Sequence, residues 1–227
     1  MSAEDTAEAQ QLLLHPPPFP AQSVTFVITG AVTAALTPYW LHWLRFNYPD
    51  VTVSALLTRS AQRFVTRPAI TSMTTGTVLT DDWDEPEMPR GAHQDLQAQS
   101  ECFAVFPASL DYVTRLAGGR ADTPSAMVLQ TTDKPIVLAA SLPGRNAVID
   151  ALVQNLSLRP NLRFARTVPA FSVSTKSWDG QTGFFLPGVI DQLRQLLDTR
   201  SGFDSAPAHQ DDARTTATTT MASSGTE

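Results

Sequence analysis

Apolar residues in this 227-residue chain follow two alternating rhythms. Short runs at 24–29 (VTFVIT), 51–57 (VTVSALL), 102–107 (CFAVFP), 135–140 (PIVLAA) and 162–167 (LRFART) are rich in β-branched and aromatic side chains. Most lack a polar alternate face, as strands covered on both sides do. Between them the apolar positions recur every three or four residues. Leu36, Trp40 and Trp43 or Leu44 mark one such segment; Val148, Ala151, Leu152 and Leu156 mark another. Both are helical stripes. Pro38 fits only a first helical turn, which puts that helix start near Thr37. SAQRFV opens another helix with Ser60 as its N-cap, and 188–198 closes the fold as a helix. Strands alternating with helices predict an α/β, doubly wound, mainly parallel, Rossmann-like sheet of about five or six strands. One segment breaks the alternation. In 170–187, two strand-like pieces flank WDGQTG, which reads as a β-hairpin turning at Asp179-Gly180.

The ends differ from the middle. Residues 1–22, with the Pro-rich HPPPFP, read as a flexible N-terminal arm, and 201–227, rich in Ser, Thr and Ala, as a disordered tail. The folded domain is expected over 23–200. The net charge of −6 argues against a nucleic-acid partner, which needs a basic stripe. Cys102 is the single cysteine, so no internal disulfide forms, and its apolar run marks it as a core residue. No apolar run reaches the roughly 18 residues of a membrane helix. No secretion signal is evident, and a cytoplasmic location is expected.

In an open α/β sheet, ligands bind beyond the carboxyl ends of the strands. Three such ends carry small or hydroxylated residues: Thr29-Gly30-Ala31-Val32, Thr58-Arg59-Ser60, and Pro107-Ala108-Ser109-Leu110-Asp111-Tyr112. Together they form a polar rim suited to a phosphorylated cofactor. Pro107 is expected to stop its strand and Asp111 to cap the helix that follows. Of four histidines, His15 and His209 lie in the tails and His42 lies on a helix face. His93 remains as the candidate general base, in a loop or helix start just before the third apolar run, 102–107. There is no metal-ligand spacing, no P-loop and no complete dinucleotide fingerprint.

Over about 24–198 the chain resembles the flavin-containing cysteine decarboxylases, above all the lantibiotic-type peptidyl-cysteine decarboxylases. The match rests on VTFVITGAV, on His93, on PASLDY where the family has Pro-Ala-Ser-Ala-Asn-Thr, on GRAD for its Gly-x-x-Asp, and on the Ser-rich hairpin. The resemblance implies a flavin, FMN or FAD, held by Gly30, Ala31, Val32, Thr58, Ser60, Ser109, Leu110, Asp111 and Tyr112. It implies His93 as the catalytic base and a homotrimer, assembled further to a dodecamer in part of the family. It also implies a substrate: a ribosomally made precursor peptide ending in cysteine, processed alongside lanthionine-forming enzymes. Oxidation of that cysteine and loss of CO2 leave an enethiol, which closes an aminovinyl-cysteine ring. The hairpin, through Ser174 and Lys176, would clamp the peptide's end. The sequence departs from the family at three points. Asp111 and Thr123 stand where the family has Asn, and Pro143 stands where its carboxylate-binding Asn falls. Ser141, Arg145 and Asn146 are then the nearby candidates for the substrate carboxylate. Phosphopantothenoylcysteine decarboxylation and a non-catalytic partner subunit remain as alternatives.

Overall fold

The computed structural model describes residues 3–89, 91–142, 144, 146–172 and 176–204. The apolar runs form strands β1 (Ser23–Ile28), β2 (Thr52–Leu57), β4 (Cys102–Ser109), β5 (Ile136–Ser141) and β6 (Leu162–Phe164). A sixth, β3 (Val78–Thr80), has only three residues, too few for a legible period. All six are parallel, in the order β3-β2-β1-β4-β5-β6. This is the doubly wound sheet expected from the alternation, at the upper strand count.

Helices cover both faces. Alternation along β1 sends Phe26 and Ile28 to one side, where they pack with Leu41 and Leu44 of α2 (Thr37–Asn47), Ile70 of α3 (Arg67–Thr71), and Ile190 and Leu193 of α8 (Leu186–Asp204). Val27 points to the other side. There it joins Leu96 of α4 (Ala92–Gln99), Leu116 of α5 (Leu110–Ala117), Leu129 of α6 (Pro124–Thr131) and Leu156 of α7 (Ala147–Ser157). Burying each large side chain of this kind stabilises by about 1.5–3 kcal/mol. Helix α2 starts at Thr37 with Pro38 in its first turn, as Pro38 requires.

Several expectations change. Pro107 does not end its strand. β4 continues to Ser109, and its pairing with β5 shifts so that Phe106 and Pro107 together oppose one residue. The bulge accommodates a residue that cannot donate to the ladder. The hairpin forms from β7 (Val168–Ser172) and β8 (Ser177–Thr182), but Asp179-Gly180 lies within β8, where Gly180 pairs with Ala170. The reversal falls between Ser172 and Ser177, so strand pairing has overridden the local Asp-Gly turn preference. Part of the N-terminal segment read as an arm forms a helix, α1 (Ala3–Leu14), against α8 and β7. The proposed tail lies outside the described residues from 205 onward. No described helix is long and apolar enough to cross a membrane.

Candidate functional site

Strands β1, β2 and β3 lie on one side of the sheet, and the chain then returns past β1 to build β4, β5 and β6. The crevice of such a sheet lies at this reversal, between the carboxyl ends of β1 and β4. Thr29 joins the two ends. Its buried hydroxyl donates to the Pro107 carbonyl at 2.7 Å and accepts from the Ser109 N–H at 2.8 Å. Ser109 then caps α5, accepting from the Tyr112 N–H at 3.4 Å. The cap is Ser109 because its backbone is extended where the strand ends; Asp111 is already inside the first turn. There its carboxylate suits the helix dipole, and it lies 3.8 Å from Arg115, one turn on.

The β2 end closes against the β1 end. A Cβ on Gly30 would lie 2.5 Å from both Cβ and Oγ of Ser60, so only glycine lets the two turns approach. Thr58, rather than Ser60, organises the short 3₁₀ turn that follows. Its hydroxyl accepts from the Ala61 N–H at 3.1 Å and donates to the Ile28 carbonyl at 3.3 Å. Ser60 forms no capping bond. Ala31 is half-buried and Val32 is 72% exposed. Behind them the buried hydroxyls of Thr33 and Thr37 have no hydrogen-bond partner among the described residues.

The β3 end carries groups not singled out by motif. Asp81 is buried and accepts from the Ser125 N–H at 2.8 Å and the Ser125 hydroxyl at 2.6 Å. Burial pushes its carboxyl above the ordinary carboxylate range, against the lowering effect of those bonds. The Tyr112 hydroxyl lies 2.6 Å from Ser125 Oγ, completing a buried network that ties β3 to α5 and α6. Burial also raises the Tyr112 phenol well above its usual range. Asp82 forms an ion pair with Arg59 across the rim. Next along, Trp83 meets His93 edge to face, with ring centroids 6.0 Å apart.

His93 sits in the first turn of α4, behind Gly91, whose φ of 77° is a glycine conformation. The imidazole is half-buried, and its buried Nδ1 has no partner among the described residues. Such an atom normally has a partner, which makes it a candidate contact for a bound ligand. The unsatisfied hydroxyls of Thr33 and Thr37 and the close Gly30–Ser60 approach likewise fit a ligand rich in phosphate and carbonyl oxygens.

The structure therefore brings Gly30, Ala31, Val32, Thr58, Ser60 and Ser109 to adjoining strand ends. Leu110 is half-buried beside them, Asp111 is exposed, and Tyr112 has its hydroxyl engaged inward. Ser141 pairs with Ser109 at the β5 end. Asn146 caps α7, its carboxamide oxygen accepting from the N–H groups of Val148 and Ile149, each at 3.0 Å. Lys176 is exposed with φ 53° where the hairpin reverses. Pro143, Arg145 and Ser174 lie outside the described residues. Asp81 and Trp83 escaped the sequence reading. A three-residue strand gave no frame to place them at a strand end, and the partner of Asp81 lies 44 residues away. Cys102 is fully buried, and burial raises its thiol, which leaves it in the core as expected. No cluster able to hold a metal ion occurs among the described residues.

A six-stranded doubly wound sheet with this small-residue rim defines a nucleotide-type cofactor protein, and the Flavoprotein family profile matches residues 16–155. The chain belongs to the flavoprotein family. Within it, the chain is similar to the cypemycin cysteine dehydrogenase (decarboxylating) of Streptomyces sp, at 44% identity over 176 residues, covering 77% of this chain and 92% of that protein. The crystal structure of the cypemycin decarboxylase CypD matches with a TM-score of 0.72 at 38% identity, over 82% of this chain and 99% of that one. SpaF, an FMN-dependent cysteine decarboxylase, shares the fold with a TM-score of 0.63 at 19% identity, over 77% of this chain and 97% of its own.

Proposed function

We propose that the protein is a flavin-dependent decarboxylase of peptidyl cysteine, acting on the C-terminal cysteine of a ribosomally made precursor peptide. The observation that carries this reading is the likeness to the cypemycin enzyme over 92% of that enzyme's length. The rim supports it: Nδ1 of His93 and the hydroxyls of Thr33 and Thr37 are polar atoms there without a partner among the described residues.

Bound flavin supplies a two-electron oxidation. The chain's own residues do the rest. Gly30, Ala31 and Val32 offer close backbone approach, Thr58 holds the turn that presents Ser60, and Ser60 and Ser109 offer hydroxyls, Ser109 at the N-terminus of α5, where anions are favoured. His93 holds and moves the thiol proton of the substrate cysteine. Loss of two hydrogens from the cysteine gives a thioaldehyde. The carboxylate then leaves as CO2, its electron pair passes through the carbon–carbon bond to sulfur, and a proton returns there to give the enethiol. With Pro143 unable to donate, the carboxylate falls to Ser141, Asn146 and Arg145. The β7–β8 hairpin with Ser174 and Lys176 meets the peptide end. The working form is a homotrimer or a larger assembly of trimers. Exposed apolar residues near the rim, Val32, Leu36 and Tyr39 with Phe46 farther along α2 (81% exposed), are surface that another copy would cover.

The test is incubation of the flavin-loaded protein with a peptide ending in cysteine, read by mass. The expected product lacks CO2 and two hydrogens. His93→Asn should keep its yellow flavin spectrum and lose turnover. A colourless protein that takes up no flavin, or turnover of phosphopantothenoylcysteine but not of the peptide, overturns the proposal.

A further inference from the structure

The hairpin leaves the sheet from a seat to which α1 contributes. Its first leg starts at Val168, just after Arg166. The Arg166 N–H donates to the Gln192 side chain of α8 at 3.0 Å, and the Gln192 amide donates to the Phe164 carbonyl at 3.0 Å. The second leg returns through Gly183, where a Cβ would press within 3.2 Å of the Ala140 backbone at the end of β5. It then reaches Phe185, which packs edge-on against Trp40, with centroids 5.6 Å apart. Helix α1 closes this seat from outside. Glu8 Oε1 accepts from Arg166 Nη1 at 2.9 Å, and Glu8, Ala9 and Leu12 face Val168, Phe185 and Gly188 across a cavity of about 60 Å³.

The grip is shallow. Thr6, Ala9 and Leu12 are only half-buried, Leu14 is 75% exposed, and the ion pair is exposed at both ends. A helix held so lightly adds little to global stability. It packs on β7, the first leg of the two-stranded hairpin outside the main sheet, and on α8, so its effect falls on how that hairpin is held.

We infer that α1 is a positioning element for the β7–β8 hairpin, acting through Glu8–Arg166 and its packing on β7, and that it sets affinity for the peptide. This rests on the reading in which the hairpin meets the peptide. The measurement is the Kd of a fluorescently labelled peptide ending in cysteine for the flavin-loaded full chain, by anisotropy, with flavin content and thermal midpoint recorded alongside. Arg166→Glu and Glu8→Arg should each weaken binding about two- to five-fold, the span of an exposed ion pair. The double swap should restore it, and the single variants should keep the parent's flavin content and thermal midpoint, which a merely structural role would lower. Deleting residues 3–14 should weaken binding further while flavin content stays unchanged. As a reference, a variant joins Val168 to Thr182, which pair across the hairpin, by Gly-Gly. If that variant binds more weakly while all α1 variants bind like the parent, the role of α1 is refuted and the peptide reading stands. If the shortened hairpin also binds like the parent, the reading beneath the inference falls with it.

Discussion

Thr29→Val removes one oxygen at the centre of the crevice. Valine has nearly the same shape, so no sizeable cavity forms. Two bonds are lost, one to the Pro107 carbonyl at 2.7 Å and one from the Ser109 N–H at 2.8 Å. The Pro107 carbonyl keeps the Thr29 N–H at 3.3 Å, so the heavier loss is at Ser109. Depriving a buried N–H of its acceptor costs about 1–3 kcal/mol, and the second bond adds about 0.5–1.5 kcal/mol. Burying a methyl in place of the hydroxyl returns up to about 1 kcal/mol. The net is a destabilisation of about 1–4 kcal/mol, or a fall in thermal midpoint of roughly 2–16 °C at about 2–4 °C per kcal/mol for a domain of this size. Urea unfolding of the flavin-free protein measures it. Flavin titration by fluorescence should show weaker binding as well, because Ser109 presents the N-terminus of α5 to the rim. Thr29→Ser keeps both bonds and should keep flavin affinity. A valine variant within about 0.5 kcal/mol of the parent, with unaltered flavin affinity, would refute the view that this hydroxyl fastens β1 to β4 at the site.

Gly30→Ala places a Cβ 2.5 Å from Ser60; it should destabilise by about 1–3 kcal/mol and abolish flavin retention on gel filtration, with Ser60→Gly in the same chain restoring the stability in urea. The raised native value of the Asp81 carboxyl means that its contribution to stability is fully present below the ordinary carboxylate range and is lost as pH rises through that native value. The advantage of the parent over Asp81→Asn in urea should therefore shrink from acid towards neutral pH; an advantage that grows with pH contradicts the buried-acid assignment. The Cys102 thiol, fully buried and raised, should resist iodoacetamide in the native protein and react at once in urea, as read by mass.

Much of the fold was legible because burial on both faces leaves a local record. The runs from Val24 to Thr29 and from Cys102 to Phe106 name strands without reference to anything else in the chain. The candidate rim followed by rule, since ligands in such sheets gather at strand ends. Errors arose where two local preferences competed. Ser109 and Asp111 are both good caps, and only the path of β4 beyond its bulge put the extended backbone at Ser109. Asp179-Gly180 is a good turn, yet Gly180 is paired across from Ala170. Helix α1 carries a weak apolar stripe that no period marks out, and its partners are α8 and β7 at the other end of the chain.

Period and composition are properties of neighbours in the chain, so the strands, the main helices, the buried cysteine and the small-residue turn at Gly30 could be read directly. Partner choice is a property of space. Thr29 finds Ser109 across 80 positions, Asp81 finds Ser125 across 44, and Glu8 finds Arg166 across 158. The first two pairings exist because the parallel crossovers bring those ends together, where the desolvation of a buried hydroxyl or carboxylate demands a partner; the exposed third exists because α1 packs on α8 and β7. Local pattern carries no term for that demand, so the packed sheet alone decided which polar groups meet and which, like Nδ1 of His93, find no partner among the described residues.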